Sequence, residues 1–547
     1  MFIALFLSLS LIRNELFCSA FNVLVHSPAF AGSHTNFMAN LADTLTDAGH
    51  NVTFLVPIVD QTRRNQLGVK ITKDVVFVDH DEETKRSIIP IDENVNDLWT
   101  MDIHSSNAWK MFRWFDKAIP LACENFLRNR EIFEIMKSRS FDLAIIEPVT
   151  VCGLGFIKAL GIEKTIVVSS QSYYDFMLPF IGESLEESYV PSIFSQTNDR
   201  MTIMERYENS QIEKATSKEF MDMFDQETAT YRKYLGTDLP DWRELLSESS
   251  FHFTNSNPIL DFPRPSLQKT IAIGGIAVDL QKIRSQKLPT NWEKILSLRD
   301  KTMLISFGSL VGSSAMPDQW KKNLLDVIRA EPNVTFIWKY EKEDVSFAEG
   351  VENVVFSKWV PQTALLNDER LKAFLTHGGL GSTNELAYCG KPALMVPVFA
   401  DQARNGHMLA RLHMAIALRK TDLANFDLIR ESVHSILYDE SYSTNAKRVA
   451  EMLKNQPVNP KKLAVRYTEF VAKFGPFPEL DPQGRRLNWW QRNLLDAYFC
   501  LVLYHLAILI GLLYFIRLTW DYGTLRITKI ENNVKQRLID YLYWYVE

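Results

Sequence analysis

Residues 371–402 read L-K-A-F-L-T-H-G-G-L-G-S-T-N-E-L-A-Y-C-G-K-P-A-L-M-V-P-V-F-A-D-Q, and this order leaves the chain few architectures. Leu371–Thr376 is short, apolar and halted by glycines, which describes a parallel strand buried on both faces. Gly378, Gly379 and Gly381 allow a sharp turn. Ser382 can then cap a helix that continues through Asn384, Glu385 and Leu386. A second apolar run, 393–398, follows at once. Strand, helix and strand at this spacing make a crossover unit, so the chain is read as α/β.

The polar residues of the stretch gather at strand-to-helix junctions, where an open α/β sheet takes up its ligand. His377 can donate to a phosphate oxygen, and the bare backbone at Gly379 lets that ligand approach the helix N-terminus. Glu385, one turn on, can accept from ribose hydroxyls. Asp401 and Gln402 stand just past the second strand, with groups suited to sugar hydroxyls. Upstream, Trp359 in W-V-P-Q offers a flat face for a base and Gln362 an amide for its polar edge. Taken singly, each also has a plain reading, Trp359 as a core aromatic, His377 as a strand-end histidine and Asp401 as a turn former. A dinucleotide fold competes as well, since Gly379-Leu-Gly381 opens a helix, but Asn384 stands where the third glycine belongs. Gly153-Leu-Gly155 fails in the same way, at Lys158.

Earlier in the chain, an apolar run and the small-residue segment Cys18-Ser-Ala20 describe a signal peptide over 1–20. Residues 21–25 read as the first strand of the mature protein and 38–48 as a helix, which leaves His34 in the connection between them. Strands are expected at 51–56, 75–78, 141–146, 165–170, 251–256 and 270–276. Glu147-Pro148 lies just past the 141–146 strand. Asp79-His-Asp81 has the form of a metal-binding carboxylate pair but reads better as a solvated acidic loop. A polar segment at 279–300 is a linker, and a second set of strands follows at 302–307, 334–338 and 354–356. Gly308-Ser309 ends the first of these, with backbone N–H groups able to cradle a diphosphate.

Residues 497–516 are predominantly apolar and about 30 Å long as a helix, enough to cross a bilayer. Trp489, Trp490 and Trp520 flank them as interface anchors. The signal peptide sets the orientation, with the body lumenal and 517–547 cytosolic. A formal charge of −6 over 547 residues, with no basic stripe, argues against nucleic acid. Cys123, Cys152 and Cys389 are too few for a disulfide framework, and stability is expected from burial. No Cys/His spacing suggests zinc.

W-x-P-Q, H-x-G-x-x-S-x-x-E and F-A-D-Q, in that order, closely resemble the donor-binding signature of UDP-glycosyltransferases, specifically the membrane-bound UDP-glucuronosyltransferases of animals. The resemblance covers nearly all of 21–516, including G-S-H at His34. It departs at Gly381, where many members carry Asn, and at Glu147, where members carry Asp. It implies a GT-B fold, with two facing Rossmann-like domains: an acceptor-binding domain at 21–278, the linker, a UDP-sugar-binding domain at 301–480 and a juxtamembrane segment at 481–496. It also implies His34 as catalytic base with Glu147 as its partner, His377 at the diphosphate, Glu385 at the ribose, and Asp401 and Gln402 at the transferred sugar. Ser309, Trp359, Gln362, Gly379 and Ser382, read above from their own chemistry, complete the expected UDP-sugar site. Arg264, in D-F-P-R-P, matches an arginine implicated in holding the glucuronate carboxylate.

The expected reaction is inverting transfer of a sugar from UDP-glucuronate, or UDP-glucose, to a small lipophilic acceptor, with no cofactor and no metal. The expected location is the endoplasmic reticulum membrane, single-pass, with oligomers possible and with Asn51 and Asn333 as glycosylation sequons. Three rivals differ in their marks. A nicotinamide oxidoreductase needs the intact third glycine, a non-catalytic carrier would lack His34 or Asp401, and a metal-dependent transferase would depend on Asp79 and Asp81.

Overall fold

The structure, a computed structural model, describes residues 20–88, 95–101 and 108–546. The expected signal peptide therefore lies outside the described residues, except for Ala20. Among the described residues two sheets form, parallel throughout. The first comprises β1 (Asn22–His26), β2 (Asn51–Pro57), β3 (Asp74–Val78), β4 (Leu143–Ile146), β5 (Thr165–Ser169), β6 (Phe251–Thr254) and β7 (Thr270–Ala272), in the order β3-β2-β1-β4-β5-β6-β7. The second comprises β8 (Lys301–Ser306), β9 (Val334–Lys339), β10 (Val354–Ser357), β11 (Leu371–Thr376), β12 (Ala393–Met395) and β13 (Ala415–Ala417), in the order β10-β9-β8-β11-β12-β13. Strands such as Leu-Ala-Ile-Ile of β4 are buried at every position, as a sheet covered on both faces requires.

Each half starts in the middle of its sheet, builds outward to one side, then returns and builds to the other. The order therefore reverses between β1 and β4 and again between β8 and β11. The loops at those two places diverge and leave a crevice at the carboxyl ends of the strands.

Several boundaries differ from the sequence reading. The first helix runs Gly32–Asp47, so His34 lies in its first turn and not in a connection. Polar Gly-Ser-His-Thr-Asn has weak helix propensity, but Thr35, Phe37 and Met38 are buried there, and packing overrides propensity. The linker is largely helical, as Leu280–Ser285 and Thr290–Leu296, because Ile283, Trp292 and Leu296 are buried.

The halves also exchange segments. Trp99 joins the core of the second half and donates to the Gly312 carbonyl at 3.0 Å. In return the helix Pro460–Phe474, grouped by the sequence with the second half, packs on the first sheet through Ala464, Val471 and Ala472. Arg404 donates to Asp261 at 2.7 Å, joining the halves through a buried ion pair.

The cysteine reading needs correction: Cys123 and Cys152 form a disulfide, with Cα atoms 5.9 Å apart. Too few cysteines for a framework still leave enough for one bridge, and Cys389 remains free. Asp79 and Asp81 are held by Arg64 and Arg128, and Asp81 caps a helix through the Thr84 N–H.

Residues 482–547 form a separate unit. Its helix Leu495–Val546 runs 52 residues without a break, well beyond the expected 497–516 span, and is long and apolar enough to cross a membrane.

Candidate active site

At the first reversal, β1 and β4 run side by side with His26 opposite Ile146. Glu147 therefore leaves the sheet beside the loop that leads into the His34 helix. His34 Nδ1 lies 2.6 Å from Glu147 Oε1. The carboxylate is completely buried and His34 is 7% exposed. The Phe30 ring packs against the imidazole at 4.4 Å. Ser170 and Tyr174, which the sequence did not single out, complete the cluster. Tyr174 donates to Glu147 Oε1 at 3.1 Å, and Ser170 Oγ lies 2.6 Å from His34 Nδ1. Both follow a strand by a few positions, as His34 and Glu147 do, but nothing in their residue types marked them.

At the second reversal Thr376 lies opposite Ser306, which brings His377 against Gly308. A Cβ on Gly308 would sit 2.7 Å from His377 Cε1, and one on Gly379 would sit 2.7 Å from Nε2. The imidazole is thus wedged between two bare backbones. Burial, with a smaller contribution from Lys339, lowers its pKa to about 4, so the ring is neutral at pH 7. The helix Leu380–Cys389 is capped by Gly379, with no side-chain cap, which leaves its first N–H groups open to an anion. Ser382, expected as the cap, lies inside the helix and accepts from Gln362 Nε2 at 3.0 Å.

Glu385 also accepts from Gln362, at 2.8 Å, and from Thr363 at 3.2 Å. Burial raises its pKa. Ser309, Trp359, Gln362, Ser382 and Glu385 all line one cleft of about 950 Å³. Trp359 is 74% exposed there, a free aromatic face. Lys339, missed from sequence because it reads as an ordinary strand end, lines the same cleft and donates to the Gly308 carbonyl at 2.8 Å. The opposite wall carries Asn40, Lys70, Lys461 and Arg466.

Asp401 accepts from Asn405 at 2.9 Å. Burial raises its pKa, opposed in part by the hydrogen bond from Asn405. Gln402 turns back into its own loop, its amide oxygen accepting from Val398 and Phe399 at 2.9 and 3.1 Å.

Arg264 is not brought to this cleft. Its guanidinium is paired with Asp175 at 3.1 Å, its side chain 4% exposed, and it lies over the Tyr173 ring at 4.3 Å. It lines a separate cavity of about 470 Å³ with Asp261 and Tyr467. The expected contact with a glucuronate carboxylate gives way here to a carboxylate of the chain itself. The second glycine pair is structural too, since Gly153 abuts His26 and Gly155 abuts Tyr231.

The profile of the UDP-glucoronosyl and UDP-glucosyl transferase family matches residues 22–533. The chain belongs to this family. The UDP-glycosyltransferase is 27% identical over 517 residues to a putative UDP-glucuronosyltransferase, ugt-47, of Caenorhabditis briggsae, covering 91% of this chain and 94% of the relative. Against human UDP-glucuronosyltransferase 1A8 it is 26% identical over 482 residues, covering 85% and 86%. Among solved structures, a UDP-glucosyltransferase from Polygonum tinctorium capable of glucosylating indoxyl superposes with a TM-score of 0.56 at 14% identity, over 84% of this chain and all of that one. The glycotransferase of kitacinnamycin gives the same TM-score at 15% identity, over 85% of this chain and all of that one. These likenesses establish the GT-B fold of the transferase.

Proposed function

We propose that this UDP-glycosyltransferase moves a hexose from its UDP ester to a hydroxyl of a small lipophilic acceptor, with inversion at the anomeric carbon. The observation that carries the reading is the buried His34–Glu147 pair, 2.6 Å apart. The acceptor O–H gives its proton to His34 Nε2, the oxygen bonds to the anomeric carbon, and the bond from that carbon to the diphosphate oxygen breaks. Glu147 orients the imidazole and balances the imidazolium that forms. UDP leaves with the bonding electron pair. Its charge meets Ser309, His377 and the open N-terminus of the Leu380–Cys389 helix. The uracil stacks on Trp359 and the ribose meets Glu385, which exchanges Gln362 for sugar hydroxyls. The UDP-sugar is a co-substrate, and no step draws on a metal or cofactor.

The proposed donor is UDP-glucuronate, by kinship with relatives that carry that name. UDP-glucose is the second reading, favoured by the engagement of Arg264 with Asp175. The proposed location is the endoplasmic reticulum membrane, single-pass, with both catalytic halves lumenal. The Cys123–Cys152 bridge suits an oxidising lumen, and both sequon asparagines, Asn51 and Asn333, are exposed. The test is a panel of UDP-sugars against phenols and lipophilic alcohols in microsomes. Turnover with UDP-glucuronate and not UDP-glucose supports the first donor, the reverse supports the second, and no glycoside from any donor rejects the function.

A further inference from the structure

Glu147 Oε1 gathers every contact the carboxylate makes among the described residues. His34 Nδ1 stands at 2.6 Å, the Tyr174 hydroxyl at 3.1 Å, and the Ser170 hydroxyl also donates to it. Oε2 is buried with no partner among the described residues. The two hydroxyls also touch each other and the imidazole, Tyr174 lying 3.3 Å from both Ser170 Oγ and His34 Nδ1. Neither is free to turn away. Asn255 Nδ2 holds the Ser170 carbonyl at 2.7 Å, while Tyr174 is 2% exposed and stacks on Phe176 at 5.5 Å.

We infer that Ser170 and Tyr174 are positioning residues that clamp one oxygen of Glu147 and through it fix the tautomer and orientation of His34. A glutamate has three rotatable side-chain bonds, so an unclamped carboxylate could meet the imidazole in many geometries. An ionised carboxylate only accepts, so all three neighbours donate to it. That places the proton on Nδ1 and leaves the Nε2 lone pair for the acceptor. The two hydroxyls also disperse part of the carboxylate charge, which tunes how strongly Glu147 holds the imidazolium formed in the reaction.

This inference rests on the base role proposed for His34, and the test separates the two. The variants are Ser170→Ala, Tyr174→Phe, Glu147→Asp and the Glu147→Asp/Ser170→Ala double variant, all in full-length protein in microsomes. Each hydroxyl deletion should lower kcat/KM about 10- to 100-fold, the range for one hydrogen bond to a charged group. UDP affinity should stay unchanged, which also reports that the variants fold. The acidic limb of the kcat/KM profile should move to higher pH, because a less dispersed carboxylate favours the imidazolium. Ser170→Thr should keep most of the rate, and the double variant should lose little more than the worse single one. Unaltered kcat/KM and pH profile in both hydroxyl variants, or losses that multiply with that of Glu147→Asp, overturn the inference. If His34→Ala keeps full turnover, the base role itself fails and the inference goes with it.

Discussion

His34 and Glu147 are 113 residues apart in sequence and 2.6 Å apart in space, because β1 and β4 are neighbours at the point where the strand order of the first sheet reverses. The second sheet repeats the device with Gly308 and His377, after β8 and β11. The proposed base and its partner arise at one crevice, and the proposed diphosphate cradle at the other.

Removing the proposed base should separate chemistry from donor binding. His34→Ala is expected to lower glycoside formation about 10²–10⁴-fold, with UDP affinity by calorimetry unchanged. Lost UDP binding would show that the residue serves the donor instead.

Gly308 has φ +84°, and its Cβ position collides with His377. Gly308→Ala should cost about 1–2 kcal/mol of backbone strain and weaken UDP binding about tenfold by pushing the imidazole aside. Gly381→Ala is the control, since no described residue lies within 4 Å of its Cβ position. Equal affinities in the two variants would disprove the wedge.

Arg264→Ala should destabilise the fold and leave donor choice alone. Asp175 would be left buried without its partner, a loss on the order of 3–5 kcal/mol, visible as a lower melting temperature. The ratio of glucuronate to glucose transfer should not change. A selective loss of glucuronate transfer would return Arg264 to the donor site.

Burial lowers the pKa of His26 to about 4 and that of His252 to about 3, against about 6.5 in an unfolded chain. Between those values the unfolded chain binds protons that the folded one refuses. Their contribution is complete above pH 6.5 and is lost as pH falls towards 4. Glu227, raised to about 7 by burial, runs the opposite way, favouring the fold below pH 4.5 and losing that contribution as pH rises to 7. His26→Met should therefore flatten the acid-side fall of the melting temperature between pH 6.5 and 4.5, and Glu227→Gln should steepen it. Unchanged slopes in both variants would count against the buried titrations.

The second half was legible because its site is local in sequence. Ser382, Glu385 and the glycines lie on one strand-turn-helix, where spacing alone brings them together. The first half is assembled from β1, β4 and β5, so residue type could point to His34 and Glu147 but not to Ser170 or Tyr174, common residues whose meaning comes from tertiary contact. Arg264 shows the converse. Its motif was readable, but Asp175, 89 residues upstream and with no mark of its own, is the partner it meets. The Cys123–Cys152 bridge was hidden for the same reason, since it joins two helices that only the folded first half brings together.

The return of Pro460–Phe474 to the first sheet bears on where the chain can be cut. Severing it at residue 459 would peel Ala464, Val471 and Ala472 from the core they share with the Gly32–Asp47 helix and remove Lys461 and Arg466 from the cleft wall. It would also remove the carboxylate that the buried Lys269 ammonium meets, Asp481 at 2.6 Å. A release point after Asp481 spares all of these and discards only the separate unit that carries the apolar helix. A water-soluble catalytic fragment should thus end at 481, and a protease that nicks the chain just beyond it should liberate an enzyme with its cleft intact.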